Sequence, residues 1–472
     1  MTTCARSPLG WFILCWAAAG CALPRSAEQA RSPTAIPPNK SSPYLAQLGK
    51  PTLLQPASFQ AGAETGPHVT GPHASDDPLA GIKELSVDVL VEQVLARNPS
   101  LAQMVAAWQA ASARYPQVTS LEDPMLTGKL GPGSFGSNNV DFAYMVEVSQ
   151  KLPFPGKRAL RGQNALAEAG AAELDVADMR LQLIESAKIA FIEYFLVHRA
   201  LEVDTESLKL LQRAHQDASS GYKTGKVDQQ DILQADVEIG REQERRLALE
   251  ETRQIARARL NTLMHLPADS LLPPPPKELA LLEILPEAQE LRARALARRP
   301  DLLALGGRIK ADQAALGLAE KDFYPDVEVM AGYDAFWTEK ELRAQVGLRM
   351  NLPVYRERRR AAIAEAQAKI AQRRAELDRQ TDQVNFQVQE AYEKVRKSEK
   401  AVRLYKETIL KAAEQNAGAA RSAYVAGKIP ALSRIEAERN VVSLRDRYYE
   451  TVADYFRRRA TLERVIGGPL EH

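Results

Sequence analysis

Leu342-Arg343-Ala344-Gln345-Val346-Gly347-Leu348-Arg349-Met350-Asn351-Leu352 alternates apolar side chains with polar or small ones from end to end. A period of two puts the apolar set on one face of a β-strand and the polar set on the other. The same pattern occurs earlier in the chain, where Val140, Phe142, Tyr144, Val146 and Val148 alternate with Asp141, Ala143, Met145, Glu147 and Ser149. Each of these strands follows a weaker one, residues 125–130 and 327–334. The first pair is joined by a Gly-rich link from Gly131 to Asn139, the second by a shorter link around Trp337. Alternation alone also describes a half-buried sheet of a soluble domain. After the N-terminal leader, however, no run reaches 18 apolar residues, so a membrane can be crossed here only by strands. Phe154, Phe323, Tyr324 and Tyr355 gather at one end of the two hairpins, and Phe336 and Trp337 at the other, where interfacial aromatics belong. Four strands cannot close a barrel, and an open edge in hydrocarbon leaves N–H and C=O groups without partners. Association is therefore expected, and three copies would give twelve strands, within the even-numbered bacterial range.

The hairpins belong to a tandem repeat. Asn98-Pro99 recurs as Arg299-Pro300, an offset of 300 − 99 = 201, and Pro124 recurs as Pro325 at the same offset. Leu152-Pro153 recurs as Leu352-Pro353 at 200, and Tyr222-Lys223-Thr224-Gly225-Lys226-Val227 as Tyr424-Val425-Ala426-Gly427-Lys428-Ile429 at 202. Each half reads helix, hairpin, very long helix, glycine turn, helix. From Arg158 to about Ser220 no proline interrupts, and Leu174, Ala177, Leu181, Ile184, Ala187, Phe191, Tyr194, His198, Leu201, Thr205 and Leu208 recur every three or four residues. Val176, Met179 and Leu183 form a second apolar set. That spacing is near the heptad value of supercoiling helices, and at ~1.5 Å per residue the helix is on the order of 90–95 Å long. A similar helix runs from Arg358 to about Ser422. Helices of that length must pack side by side in a bundle or tube. The return helices are shorter, broken at Pro267 and at Pro273 to Pro276, and a piece of about 40 residues is expected to stack on the opening helix of the next half.

The ends of the chain read differently. Arg6 and the apolar run from Trp11 form a secretory signal over residues 1–20. Ala18-Ala19-Gly20-Cys21 resembles a lipobox, which makes Cys21 an expected acylation site, and Ala22 after it favours the outer membrane. Residues 21–82, rich in Pro, Ser and Gly, read as a flexible tether. The first repeat then covers 83–272, a Pro-rich connector 273–283, the second repeat 284–466 and a short tail 467–472. Charged residues are 26% of the chain yet almost cancel, to a formal +2, which excludes a nucleic-acid-binding polycation. All three cysteines, Cys4, Cys15 and Cys21, precede residue 22, so no disulfide or cysteine metal site is expected downstream. No catalytic constellation, cofactor loop or metal-ligand spacing stands out, and an enzyme is not expected.

This arrangement resembles the TolC-type outer-membrane efflux proteins from about residue 83 to 466. The resemblance rests on the Asn98-Pro99 and Arg299-Pro300 starts, on Leu152-Pro153-Phe154-Pro155-Gly156-Lys157-Arg158, and on the two Tyr-x-x-Gly-Lys turns. It implies a mainly α chain with a membrane β-barrel, in which a homotrimer forms a 12-stranded outer-membrane barrel continuing into a periplasmic α-helical barrel. It also implies work with a periplasmic adaptor and an inner-membrane pump, exporting small molecules or metal cations. Pro153 and Pro155 should stop the strand, Gly156 should allow the bend, and Lys157 and Arg158 should reach the headgroups. The tips, Gly225, Lys226, Val227, Gly427, Lys428 and Ile429, are the expected adaptor-docking residues, with Asp228 capping the outgoing helix and Pro430 in its counterpart's first turn. At the constriction the resemblance points to Asp231, Gln234, Ser433 and Glu436, and Arg434 is expected to pair with Glu436 across subunits. A lipid-anchored coiled-coil scaffold without a pore, or an adaptor lipoprotein, is the competing reading, although neither needs two half-oily hairpins.

Overall fold

The computed structural model describes residues 79, 81–136, 141–225, 228–279, 285–426, 428–429 and 431–470. The signal peptide, Cys21, nearly all of 21–82, and Val140, Lys226, Val227, Gly427 and Pro430 lie outside the described residues. In the first half, α1 (Val87–Arg97), α2 (Pro99–Ser112) and α3 (Arg114–Thr119) lead into β1 (Met125–Leu130) and β2 (Tyr144–Leu152). α4 (Lys157–Lys223) and α5 (Gln229–Leu263) complete it. The second half repeats this order with α6 (Ala288–Arg298), α7 (Pro300–Lys321), β3 (Val327–Asp334) and β4 (Ala344–Met350). Its long helix is α8 (Arg356–Leu404) continued through a π-turn (Tyr405–Ile409) into α9 (Leu410–Val425), and α10 (Ala431–Val465) returns.

α4 is 67 residues long, ~100 Å, and packs against α7, α5, α10 and α2. α8 packs against α7, α6 and α10. Two cores result, one built on α4 and one on α8, and they are copies of each other. Leu90, Val94 and Leu101 of the first match Leu291, Ala295 and Leu302 of the second at offset 201. On the long helices Leu183, Ala187 and Tyr194 match Val384, Val388 and Val395, again at 201. Leu260 and Met264 match Leu462 and Ile466 at 202. One residue has therefore been gained between Val395 and the tip, and the π-turn at Tyr405–Ile409 is where the helix absorbs it.

The return helices also end alike. Leu266 N donates to Asn261 O, and Gly468 N to Glu463 O, closing each helix with a left-handed residue, His265 (φ 55) or Gly467 (φ 82). Asn98 ties the first of these ends to the opening helices of its own half, not of the next one as expected, because the helix turns straight back along α4: its Oδ1 caps α2 at Ser100 N (2.9 Å) and its Nδ2 donates to Leu263 O (3.0 Å).

The strands form one antiparallel sheet in the order β1-β2-β3-β4, so the halves meet at β2–β3 and the edges β1 and β4 are bare. The weaker strands run over 125–130 and 327–334 as expected, but the stronger ones are shorter than their alternation. β2 starts at Tyr144, after Phe142, because Ser134 Oγ takes the Ala143 N–H in place of a strand partner. β4 runs only from Ala344 to Met350. Leu342 lies in a 3₁₀ turn, and at the other end Asn351 Oδ1 accepts from Asp326 N (2.7 Å) where a ladder bond would continue.

The buried stripe of α4 needs a correction. Leu181, Ala187, Phe191 and Tyr194 are buried as expected, but below them Leu201, Thr205 and Leu208 are only half-buried. Val197, Ala200, Val203, Asp204, Ser207, Leu211 and Ala214 take their place. Around Leu183 to Tyr194 the core of α4 includes α1 together with α5 and α10, whereas Val197 and Ala200 face α5 and α10, so a different face is covered.

Candidate functional site

Register assigns every strand residue to a face. Leu126, Val148, Ala331 and Val346 form one cross-strand row, and Leu152, Val327 and Met350 another. This face is oily and bare: Val346 is 82% exposed and Leu348 69%. The opposite face carries Lys129, Glu147, Lys151, Glu328, Asp334 and Arg349, with Arg349 3.2 Å from Glu328 across the β3–β4 pair. Aromatics finish both ends. Phe154 stacks on Tyr324 at 4.5 Å, and Phe135, Phe142, Tyr144 and Tyr333 form a chain of ring contacts at the far end. No helix among the described residues is long and apolar enough to cross a membrane.

At the strand-to-helix junction β2 stops at Leu152, ahead of Pro153 and Pro155, and Gly156 starts α4 at φ 92, a left-handed geometry that suits a residue without Cβ. Lys157 does not reach outward as expected. It is 3% exposed, with Nζ 3.0 Å from Asp326 and 3.1 Å from Asp322, and Asp326 also accepts from Phe154 N (2.8 Å). The sharp bend at Gly156 turns the first helical side chain back over the start of β3, so Lys157 clamps the halves together. Arg158 is exposed, but its guanidinium donates to Thr119 O at the end of α3. Lys321 is the cation that covers the ring pair, 5.4 Å from the Phe154 centroid.

At the tips Gly225 closes α4 at φ 68, and Lys428 N donates to Ala423 O as the second turn closes. Lys428 is exposed and Ile429 half-buried. Asp228 holds the N-cap position of α5, yet its side chain makes no capping hydrogen bond. Asp231 and Glu436 are exposed, Ser433 half-buried, and neither acidic group has an ion-pair partner among the described residues. Arg434 has partners within its own chain. Its guanidinium lies over the Tyr424 ring (4.8 Å) and bonds Asp217 at 2.8 Å in the same chain, joining α10 to α9 and α4. Two residues apart on a helix, Arg434 and Glu436 point to opposite sides, and only the arginine side is covered. Arg421 adds a second link, 2.9 Å from Glu438.

One buried acid escaped the sequence reading. Asp204 on α4 has no exposed surface and neither carboxyl oxygen has a hydrogen-bond partner. Burial, reinforced by Glu242 on α5, pushes its pKa up to about 6, against the opposing pull of Arg246 at 3.9 Å and of Arg245. The signal was its place in an apolar period: Val197, Ala200, Asp204, Ser207 and Leu211 follow one another at helical spacing.

A sheet with one oily and one charged face, two bare edges and ~100 Å helices leaving one end defines a channel-forming envelope protein. The chain belongs to the outer membrane efflux protein family, whose model matches residues 90–264 and 291–468, one stretch for each half. It is an outer-membrane channel of tripartite efflux systems, not an enzyme. Among curated proteins it is similar to the cobalt-zinc-cadmium resistance protein CzcC of Cupriavidus metallidurans, 26% identical over 68% of this chain and 76% of that one. Its fold is that of the outer-membrane channel OprN (TM-score 0.67, 20% identity, 86% of this chain and 99% of that one). CusC is similar to the same degree, with a TM-score of 0.68, 17% identity and coverage of 82% and 92%.

Proposed function

We propose that three copies join β4 of one to β1 of the next, making a twelve-stranded barrel with its oily face in lipid and its charged face lining a pore, continued by a tube of the long helices. The observation that carries this reading is the pairing of two bare edges with a two-faced sheet, because only closure satisfies those edges in hydrocarbon. The cargo is divalent metal cations. CzcC supports that class, and Pro153-Phe154-Pro155-Gly156-Lys157-Arg158 resembles the heavy-metal-cation branch of the family. Cys21 carries the lipid anchor, and the tips at Gly225, Lys226, Val227, Gly427, Lys428 and Ile429 dock a periplasmic adaptor that links the channel to an inner-membrane pump. Asp231, Ser433 and Glu436 line the constriction, and the contact of Arg434 with Asp217 and Tyr424 holds it narrow. Purified protein should be trimeric in detergent and conduct ions in planar bilayers, with larger unit conductance for Arg434→Ala and for Glu436→Ala. A delipidated monomer soluble without detergent would refute the barrel. A deletion strain should become sensitive to cobalt, zinc or cadmium; sensitivity to organic drugs alone would refute the cargo and leave the channel.

A further inference from the structure

Just below the sheet, a cavity of about 420 Å³ opens between α2–α3, α4 and α7. Val118, Ala165 and Leu318 give it an apolar floor, and Arg114 and Arg161 supply cations. Neither guanidinium has a hydrogen bond or ion pair with any described residue, whereas neighbouring Arg158 is spent on Thr119 O. Glu168 is the one acidic group in the lining, seven residues further along α4 from Arg161, ~10 Å deeper.

Depth and orientation say what this cavity meets. Arg161 lies four residues, ~6 Å, past the first residue of α4, which follows the strand end at Leu152 by a short turn. Arg114 lies five residues, ~7–8 Å, below Thr119, which Arg158 holds against the same end of α4. Both arginines thus fall at the level of the headgroup layer, roughly 5–8 Å thick beyond the hydrocarbon core. Leu318 is three residues before Lys321 and shares its helix face. Lys321 covers Phe154, two residues past Leu152, the last residue on the oily side of β2. The cavity therefore opens on the side that carries the oily face of the sheet.

We propose that this cavity is a binding site for an anionic phospholipid of the periplasmic leaflet. The phosphate accepts from Arg114 and Arg161, the glycerol backbone and first methylenes lie on Val118 and Leu318, and the headgroup of a phosphatidylglycerol passes Ala165 so that its hydroxyls donate to Glu168. The inference rests on the outer-membrane placement of the sheet. Bound lipid here would fix the height of the helices against the membrane at three points around the closed channel.

The test uses the full-length protein purified in detergent with equal phosphatidylglycerol and phosphatidylcholine, the retained lipid being identified and counted by native mass spectrometry. Phosphatidylglycerol should be retained preferentially. Retention should fall about fivefold for Arg114→Gln or Arg161→Gln and about thirtyfold for both, with little change for Arg358→Gln, an exposed arginine on α8. The double lysine variant should keep most of the binding, which separates loss of charge from loss of fold. Equal retention of the two lipids, equal retention by wild type and double glutamine variant, or full displacement by millimolar inorganic phosphate would each overturn the site. Conductance of the same samples reports the channel independently, so a conducting protein without lipid preference refutes only this inference.

Discussion

The two halves of the chain bury equivalent cores and then part at one level of their long helices. At offset 201 Asp204 corresponds to Tyr405, the first residue of the π-turn. The first half keeps a regular helix there and buries an acid. The second half inserts a residue, and everything below it turns by ~100° relative to a continuous α-helix. Duplication fixed the packing above this level, where both long helices meet the same kind of partner. Below it the neighbours differ, and the surfaces diverged. The tips follow that divergence: Arg434 of the second half holds Asp217, while its counterpart at offset 202 is Ile232, which cannot form an ion pair.

The junctions offer the sharpest way to break the comparison. Lys157 is clamped between Asp322 and Asp326, but its counterpart at offset 200, Glu357, is exposed and paired only with Arg360 in its own helix. Lys157→Ala should therefore destabilise the folded chain by about 2–3 kcal/mol, less than a fully buried pair because Asp322 remains hydrated. Glu357→Ala should change it by less than ~0.5 kcal/mol. Thermal unfolding in detergent measures both, and equal effects would remove the asymmetry.

The ends of the return helices come next. Gly467→Ala should cost about 1–2 kcal/mol, because alanine is strained at φ 82 and its Cβ would sit 3.1 Å from the Arg298 carbonyl carbon. His265→Gly relieves the same strain in the first half and should stabilise by up to ~1 kcal/mol. If both substitutions shifted the melting temperature in the same direction, the two closures would not be equivalent.

The smallest effect tests the divergent level and depends on pH. Unfolded, the Asp204 carboxyl ionises near 3.8; folded, it keeps its proton up to about 6. Between those values the folded chain binds more protons than the unfolded one, so this group lowers stability as pH rises through that window. Asp204→Asn should raise the melting temperature at pH 7.5, on the order of 1 kcal/mol, and show little benefit at pH 4. A gain that did not change with pH would mean that the carboxyl is not the source of the penalty.

The elements governed by local chemistry were legible in the sequence. Strands 125–130 and 327–334 fall where the period of two places them, Pro153 ends β2, and Gly156 and Gly225 adopt the left-handed conformations for which glycine is suited. The repeat offsets also carried the insertion: 201 in the cores and 202 at the tips require an extra residue between them. Site geometry was less legible. Lys157 reads as a headgroup cation from its place beside Arg158, but its partners lie 165 and 169 residues away. Arg434 reads as a partner of Glu436 across subunits, and nothing near it in sequence signals its bond within the chain, to Asp217, 217 residues away. The lower stripe of α4 was misplaced for the same reason, since a period near 3.5 allows more than one face and only the neighbours choose.

By itself, then, the sequence determined the repeat, the two-faced strands, the uninterrupted helices and the turns, because periodicity and the backbone limits of proline and glycine act within a few residues. Only the tertiary structure decided which cations point inward, which acid is buried without a hydrogen bond and where two arginines remain available in the cavity below the sheet. Those outcomes depend on desolvation and pairing between different elements of the fold, which local periodicity does not specify.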